Sequence, residues 1–175
     1  MLRVAITGPE STGKTTLSRQ LAAHYRTSWV PEYARAYLEA NGPGYTLPDL
    51  EAIARGQLAA EAQAAAEARA QGHVVLFADT DLLVIKVWAE HAFDHCPAWI
   101  LARLQQQRYE LVLLPNVDLP WEPDPLREHP HLRQHFFQVY HQALQDLNAN
   151  FTVISGTANQ RFEQARRLVD ALLRV

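Results

Sequence analysis

The sequence predicts an α/β domain, a five-stranded parallel sheet with helices on its faces. Three observations predict it. Five short apolar runs recur along the chain, at 2–7, 28–30, 74–78, 111–114 and Phe151–Ile154. Segments with helical spacing separate them, and strands alternating with helices imply a parallel sheet covered on both faces. The first run leads through a glycine-bearing loop into a helical pattern, the start expected of a βαβ unit.

The elements follow in order. Residues 2–7 are apolar and β-branched, as a buried strand should be. Lys14–Tyr25 places Leu17, Leu21 and His24/Tyr25 on one side of a helix. A shorter helical pattern follows Pro31 over 31–41. Residues 47–71 form a long alanine-rich helix with Leu47, Leu50, Ile53, Ala54, Gln57 and Leu58 at helical spacing. Helices are also expected at 82–91 and 97–108, with Pro97 suited to a first turn. Helices over 132–147 and 159–173 close the chain, and the last buries Phe162, Ala165, Leu168, Val169 and Leu172 against the sheet. No repeat or linker interrupts this order, so residues 1–175 read as one domain.

Composition narrows the function classes. The chain has 175 residues, 48% hydrophobic and 20% charged, with a formal net charge of −3. It carries no basic stripe, which argues against a nucleic-acid partner. No stretch approaches the roughly 20 apolar residues of a membrane span, and no signal peptide is expected. The single cysteine, Cys96, excludes an internal disulfide and fits a cytoplasmic location. His91, His95 and Cys96, like His129, His131 and His135, lack the paired spacing of a zinc site and are expected at the surface or in packing. The sequence does not specify an oligomeric state.

Gly8-Pro9-Glu10-Ser11-Thr12-Gly13-Lys14-Thr15 matches G-x-x-x-x-G-K-[ST], the phosphate-binding loop, and lies between strand and helix as that loop requires. The backbone N–H groups of Glu10, Ser11, Thr12 and Gly13 and of the helix start, through Thr16, would cradle a polyphosphate. Lys14 would reach the β- and γ-phosphates, and the Thr15 hydroxyl would ligate Mg²⁺. Gly8 and Gly13 let the backbone approach the phosphates. A nucleoside triphosphate with Mg²⁺ is the expected ligand, and the fold is then that of P-loop NTPases.

Ligands of such sheets bind beyond the carboxyl ends of the strands. After the third strand stands Asp79-Thr80-Asp81. Asp79 holds the acidic position that serves Mg²⁺ or accepts a proton. Asp81 either hydrogen-bonds substrate hydroxyls or caps the helix that begins near Leu82. After the second strand, Glu32 and Arg35 share a helical face, as a surface ion pair or as the lining of an acceptor site. Trp29 or Tyr33 could stack on a planar ring there, or pack in the core. After the fourth strand, 115–130 holds five prolines and four acids in sixteen residues, so a lid-like loop is expected over about 116–130. Arg127 is its one strong cation, expected either to neutralise a transferring phosphoryl group or to be a solvated loop residue, with the first favoured. Asn159 and Arg161, after the fifth strand, lie where adenine rests in kinases of this architecture.

A GTPase would show Asn-Lys-x-Asp after a late strand and Asp-x-x-Gly after the third; Asn116-Val117-Asp118 and Asp79-Thr80-Asp81-Leu82 are neither. A motor or AAA-type ATPase is expected to be longer. The lid arginine and acidic strand end fit a kinase of a nucleoside-like small molecule better than a nucleotide-dependent switch. The phosphate-binding loop, Glu32-Tyr33-Ala34-Arg35, Asp79-Thr80-Asp81 and the lid residues Trp121, Asp124 and Arg127 together resemble the ribosylnicotinamide kinase domain of the NadR-type NAD-biosynthesis family. The resemblance implies a nucleoside-kinase-like domain that passes the γ-phosphate of ATP to the 5′-hydroxyl of nicotinamide riboside. It implies ATP and Mg²⁺ at Lys14, Thr15 and Asp79, riboside contacts from Glu32, Arg35, Asp81 and the aromatic residues, and Arg127 at the transferring phosphate. The base could be Asp79, Asp81 or Glu32. With no adenylyltransferase or helix-turn-helix segment in this sequence, the later NAD-forming step and repression are expected to be absent.

Overall fold

The structure, a computed structural model, describes residues 1–174. Its elements run β1 (Leu2–Ile6), α1 (Lys14–Tyr25), β2 (Trp29–Val30), α2 (Tyr33–Asn41), α3 (Leu47–Ala70) and β3 (Val75–Asp79). They continue with α4 (Leu82–Phe93), α5 (Ala98–Gln106), β4 (Leu111–Pro115), α6 (Arg133–Asp146), β5 (Phe151–Ile154) and α7 (Ala158–Leu173). All five strands pair in parallel in the order β2-β3-β1-β4-β5. Every residue of β3 and β4 is buried, which explains their continuous apolar runs.

The sheet separates two packed layers. Leu17, Leu21 and Ala22 of α1 and Ala165 and Val169 of α7 cover one face, over Val4, Ile6, Phe77 and Leu113. Helices α3 to α6 cover the other, with Leu50, Ile53, Leu83, Ile100 and Tyr140 packed about Ala5, Val112 and Leu114. The chain leaves β1 toward β3 and β2, then crosses back to β4, so the strand order reverses beside β1. Binding crevices form at such reversals. Ile6 is in register with Asp79, so the loop after β1 and the acids after β3 emerge side by side.

Element ends depart from the sequence reading by a residue or two. Helix α2 starts at Tyr33, leaving Pro31 and Glu32 outside it, with Glu32 as the N-cap at φ −59° and ψ 110°. Helix α4 extends to Phe93, where Asp94 takes a left-handed conformation. Strand β3 keeps Asp79 as its last residue.

Candidate active site

The loop after β1 is folded around its two glycines. Gly8 has φ 138°, and a Cβ there would lie 2.9 Å from Leu114 Cδ1. Gly13 has φ 79° and begins α1. Lys14 Nζ donates to the carbonyl oxygens of Gly8 at 3.0 Å and Pro9 at 2.8 Å, which holds the ammonium over the loop. The first turn of α1, Lys14-Thr15-Thr16, has no acid, so its free N–H groups and positive dipole end suit an anion.

Beneath this turn the Thr15 hydroxyl donates to Oδ2 of Asp79 at 2.6 Å. Asp79 is 2% exposed, and its other oxygen, Oδ1, is buried without a partner among the described residues. Burial pushes the Asp79 carboxyl up to about 6, against the pull of the Thr15 hydrogen bond and the Lys14 charge. A hydroxyl and an underused carboxylate at the foot of a phosphate cradle are hard oxygen donors, so the residues present fit Mg²⁺.

The three carboxylates expected at the strand ends have different surroundings. Asp81 accepts from Thr7 Oγ1 at 2.8 Å and from the backbone of Leu83 and Val84, and is 3% exposed. It is the N-cap of α4, one of the two roles the sequence left open, and like Asp79 it is not among the residues lining the cavity. Asp79 faces Thr15. Glu32 lines the cavity, and so does Arg35.

The segment between β4 and α6, where a lid is expected, is tied to the phosphate loop. Glu10 accepts from the backbone N–H groups of Glu128 and His129, both at 3.2 Å. Ser11, buried at φ 53°, accepts from Glu122 N at 2.8 Å and from Arg127 Nη1 at 3.4 Å. Arg133 donates to the carbonyls of Ser11 and Leu119. Arg35 of α2 pairs with Asp124 of the β4–α6 segment at 3.1 Å. Arg127 lines the cavity, as the sequence predicts. Arg161 is 3% exposed and binds the carbonyls of Thr12, Asn116 and Gly156 and the Asp118 carboxylate. It lines the cavity while joining the ends of three loops, but Asn159 is exposed and does not line it.

One cavity of about 490 Å³ joins the phosphate loop to an aromatic end. Tyr45, from the α2–α3 connection, packs on Trp88 of α4 with centroids 4.6 Å apart and donates to Glu128 of the lid at 3.1 Å. His91 packs against His129 at 4.7 Å and Phe136 at 4.9 Å. Sequence reasoning missed Tyr45, Trp88 and Phe136, and it placed His91 and His129 only at the surface or in packing. The signal available was the helical face Val84, Val87, Trp88, His91, directly after the acidic strand end. The aromatic residues it named lie elsewhere. Trp29 packs in the α1 layer with Phe77 and Leu17, so its stacking role is corrected to core packing. Tyr33 rests on α3 at Gly56, where a Cβ would lie 2.1 Å from its ring, and it does not line the cavity. Trp121 lies beside Arg133, whose guanidinium carbon is 5.6 Å from its ring centroid, and it too is off the cavity wall.

Comparison with known proteins agrees with this arrangement. The profile of the family described as "AAA domain" matches residues 3–161. Length therefore does not separate this chain from proteins under that description. The chain is 31% identical over 128 residues to the trifunctional NAD biosynthesis/regulator protein NadR of Escherichia coli K12, and equally to that of Salmonella typhimurium LT2. The match covers 71% of this chain and only 30% of each relative's length. Among solved structures, a NadR protein in complex with NR has a TM-score of 0.76 at 23% identity, covering 99% of this chain and 52% of that one. A NadR protein in complex with NAD and AMP-PNP gives 0.72 at 24%, covering 94% and 47%. Thymidylate kinase from Ehrlichia chaffeensis gives 0.65 at 11%, covering 98% of both chains. The phosphate loop, the parallel sheet and the profile match together place the chain in the AAA-domain family of P-loop proteins, with the NadR type as its resemblance.

Proposed function

We propose that this chain is an ATP-dependent kinase that phosphorylates the 5′-hydroxyl of nicotinamide riboside to give nicotinamide mononucleotide. The observation that carries the reading is the single cavity in which the phosphate loop faces an acidic and aromatic end under a lid arginine. The NadR structures holding NR and AMP-PNP support it, as does the NAD-biosynthesis role in the relatives' name.

The residues divide the work. Lys14 would move from the loop carbonyls onto the β- and γ-phosphates. Thr15 and Asp79 would hold Mg²⁺, which when bound neutralises charge on the phosphate oxygens. Of the three candidate bases Glu32 is the one that lines the cavity, so it would accept the proton of the acceptor hydroxyl, leaving Asp79 to the metal. Arg127 would meet charge developing on the transferring group. Tyr45 and Trp88 offer faces to a cationic pyridinium ring. Such transfer needs in-line positioning more than covalent help from the protein.

The test is ADP release with Mg-ATP across a panel of nucleosides. Stimulation by nicotinamide riboside supports the reading. Stimulation by another nucleoside keeps the residue roles and replaces the acceptor. Slow hydrolysis indifferent to every acceptor would favour a nucleotide-dependent switch.

A further inference from the structure

One buried polar side chain outside the cavity touches the backbone at the start of α2 and just after β3, beside two of the candidate carboxylates. Gln57 lies on the inner face of α3 and is 1% exposed. Its Oε1 accepts from the backbone N–H of Tyr33 at 3.0 Å. Its Nε2 donates to the carbonyl of Thr80 and to Oε1 of Glu61, both at 3.4 Å. Tyr33 follows Glu32, and Thr80 lies between Asp79 and Asp81. One carboxamide thus joins the backbone beside the acceptor-side carboxylate to the backbone beside the metal-side carboxylate.

The partners fix its orientation. A flipped amide would set NH₂ against an N–H and a carbonyl oxygen against two oxygens. Thr80 has φ 85°, a conformation that costs a β-branched residue and holds only when its surroundings enforce it. Glu61 braces Gln57 from behind. It receives Arg3 Nη2 at 2.6 Å and the Tyr109 hydroxyl at 2.9 Å, and it is 2% exposed. Gly56, the preceding residue, gives the Tyr33 ring its seat on α3. The start of α2 is therefore pinned to α3 at two adjacent positions.

We propose that Gln57 is a positioning residue that sets the placement of Glu32 relative to Asp79, and so aligns acceptor with phosphate; this rests on the kinase reading above. Removing it loosens the acceptor side, while the phosphate loop keeps its own anchors on β1 and α1.

The test uses the full chain with Gln57→Met and Gln57→Glu. Gln57→Met preserves volume and removes all three bonds. Its acceptor-stimulated kcat should fall roughly tenfold to a hundredfold, measured well below its melting temperature. Its KM for ATP should stay within about twofold. In Gln57→Glu, an ionised carboxylate would face the Thr80 carbonyl and Glu61, whereas the protonated form can donate to Thr80 and accept from Tyr33. The kcat ratio of Gln57→Glu to wild type should therefore rise as pH falls from about 8 to about 6. A packing role alone gives a flat ratio, and a flat ratio, or full kcat in Gln57→Met, overturns the proposal. Amide exchange of Tyr33 in the ligand-free protein should be faster in Gln57→Met. Unchanged exchange overturns the bridge whatever the acceptor proves to be. Failure of the kinase reading is seen separately, as a wild type whose ADP release no acceptor stimulates.

Discussion

Arg35, in the first turn of α2, pairs with Asp124 of the β4–α6 segment, with Nη2 3.1 Å from Oδ2. The guanidinium and the backbone N–H of Leu126 hold the Asp124 carboxyl below the usual carboxylate range, the Leu126 bond first. The pair links the acceptor-side helix to the segment that carries Arg127. Its members are 42% and 21% exposed, so it adds well under about 1 kcal/mol to folding. Its consequence is for closure of the site. Asp124→Ala should shift Tm by less than roughly 2 °C and raise the acceptor KM several-fold. Thermal denaturation and steady-state kinetics check both; an unchanged KM would confine the pair to loop structure.

Asp79 sets the pH behaviour. Burial raises its carboxyl from 3.8 to about 6. The folded state therefore binds more protons than the unfolded state between these values, and stability falls as pH rises through that window. Above it, the buried charge is a standing cost to the ligand-free protein. Asp79→Asn should raise the ligand-free Tm at pH 8 by roughly 2–6 °C, with no gain near pH 4. Turnover should fall at least about a hundredfold in the same variant, as in Lys14→Ala. Denaturation scans at both pH values and initial rates decide it; near-normal rates in both variants would sink the catalytic assignment.

Arg127 is held over the phosphate loop by Ser11 and the Glu122 carbonyl. A group that meets charge only as transfer proceeds affects kcat more than substrate binding. Arg127→Ala should lower kcat by at least about tenfold with a smaller change in acceptor KM. A pure KM effect in the same assay would make it a ground-state binding residue.

The two tryptophans at opposite faces of the sheet should separate binding from packing. Trp88 lines the aromatic end of the cavity, and Trp29 packs in the α1 layer. Trp88→Ala should raise the acceptor KM by about tenfold or more. Trp29→Ala should leave that KM unchanged while costing about 3 kcal/mol in urea denaturation. The reverse pattern would restore Trp29 as the stacking residue.

The fold was legible because its signals are local. Each strand of the sheet is a short apolar run, and Lys14–Tyr25 and Phe151–Ile154 match their predicted bounds. The phosphate loop and Asp79 were legible for the same reason: a motif and a strand end fix them. The aromatic end of the cavity was not. Tyr45, Trp88, His129 and Phe136 come from four separate segments and meet only through packing, so no sequence window holds them together. Asp81 shows the opposite difficulty. Its position at a strand end fits chemistry and capping equally, and the cap shows only in its bonds to Thr7, Leu83 and Val84.

The most direct test of the central claim is product identification by mass spectrometry after incubation with Mg-ATP and nicotinamide riboside, with the 5′-deoxy riboside as control. A kinase of the riboside 5′-hydroxyl gives ADP and nicotinamide mononucleotide in equal amounts, and no product from the 5′-deoxy compound. ADP formation unaffected by nicotinamide riboside, with no phosphorylated riboside, would contradict it.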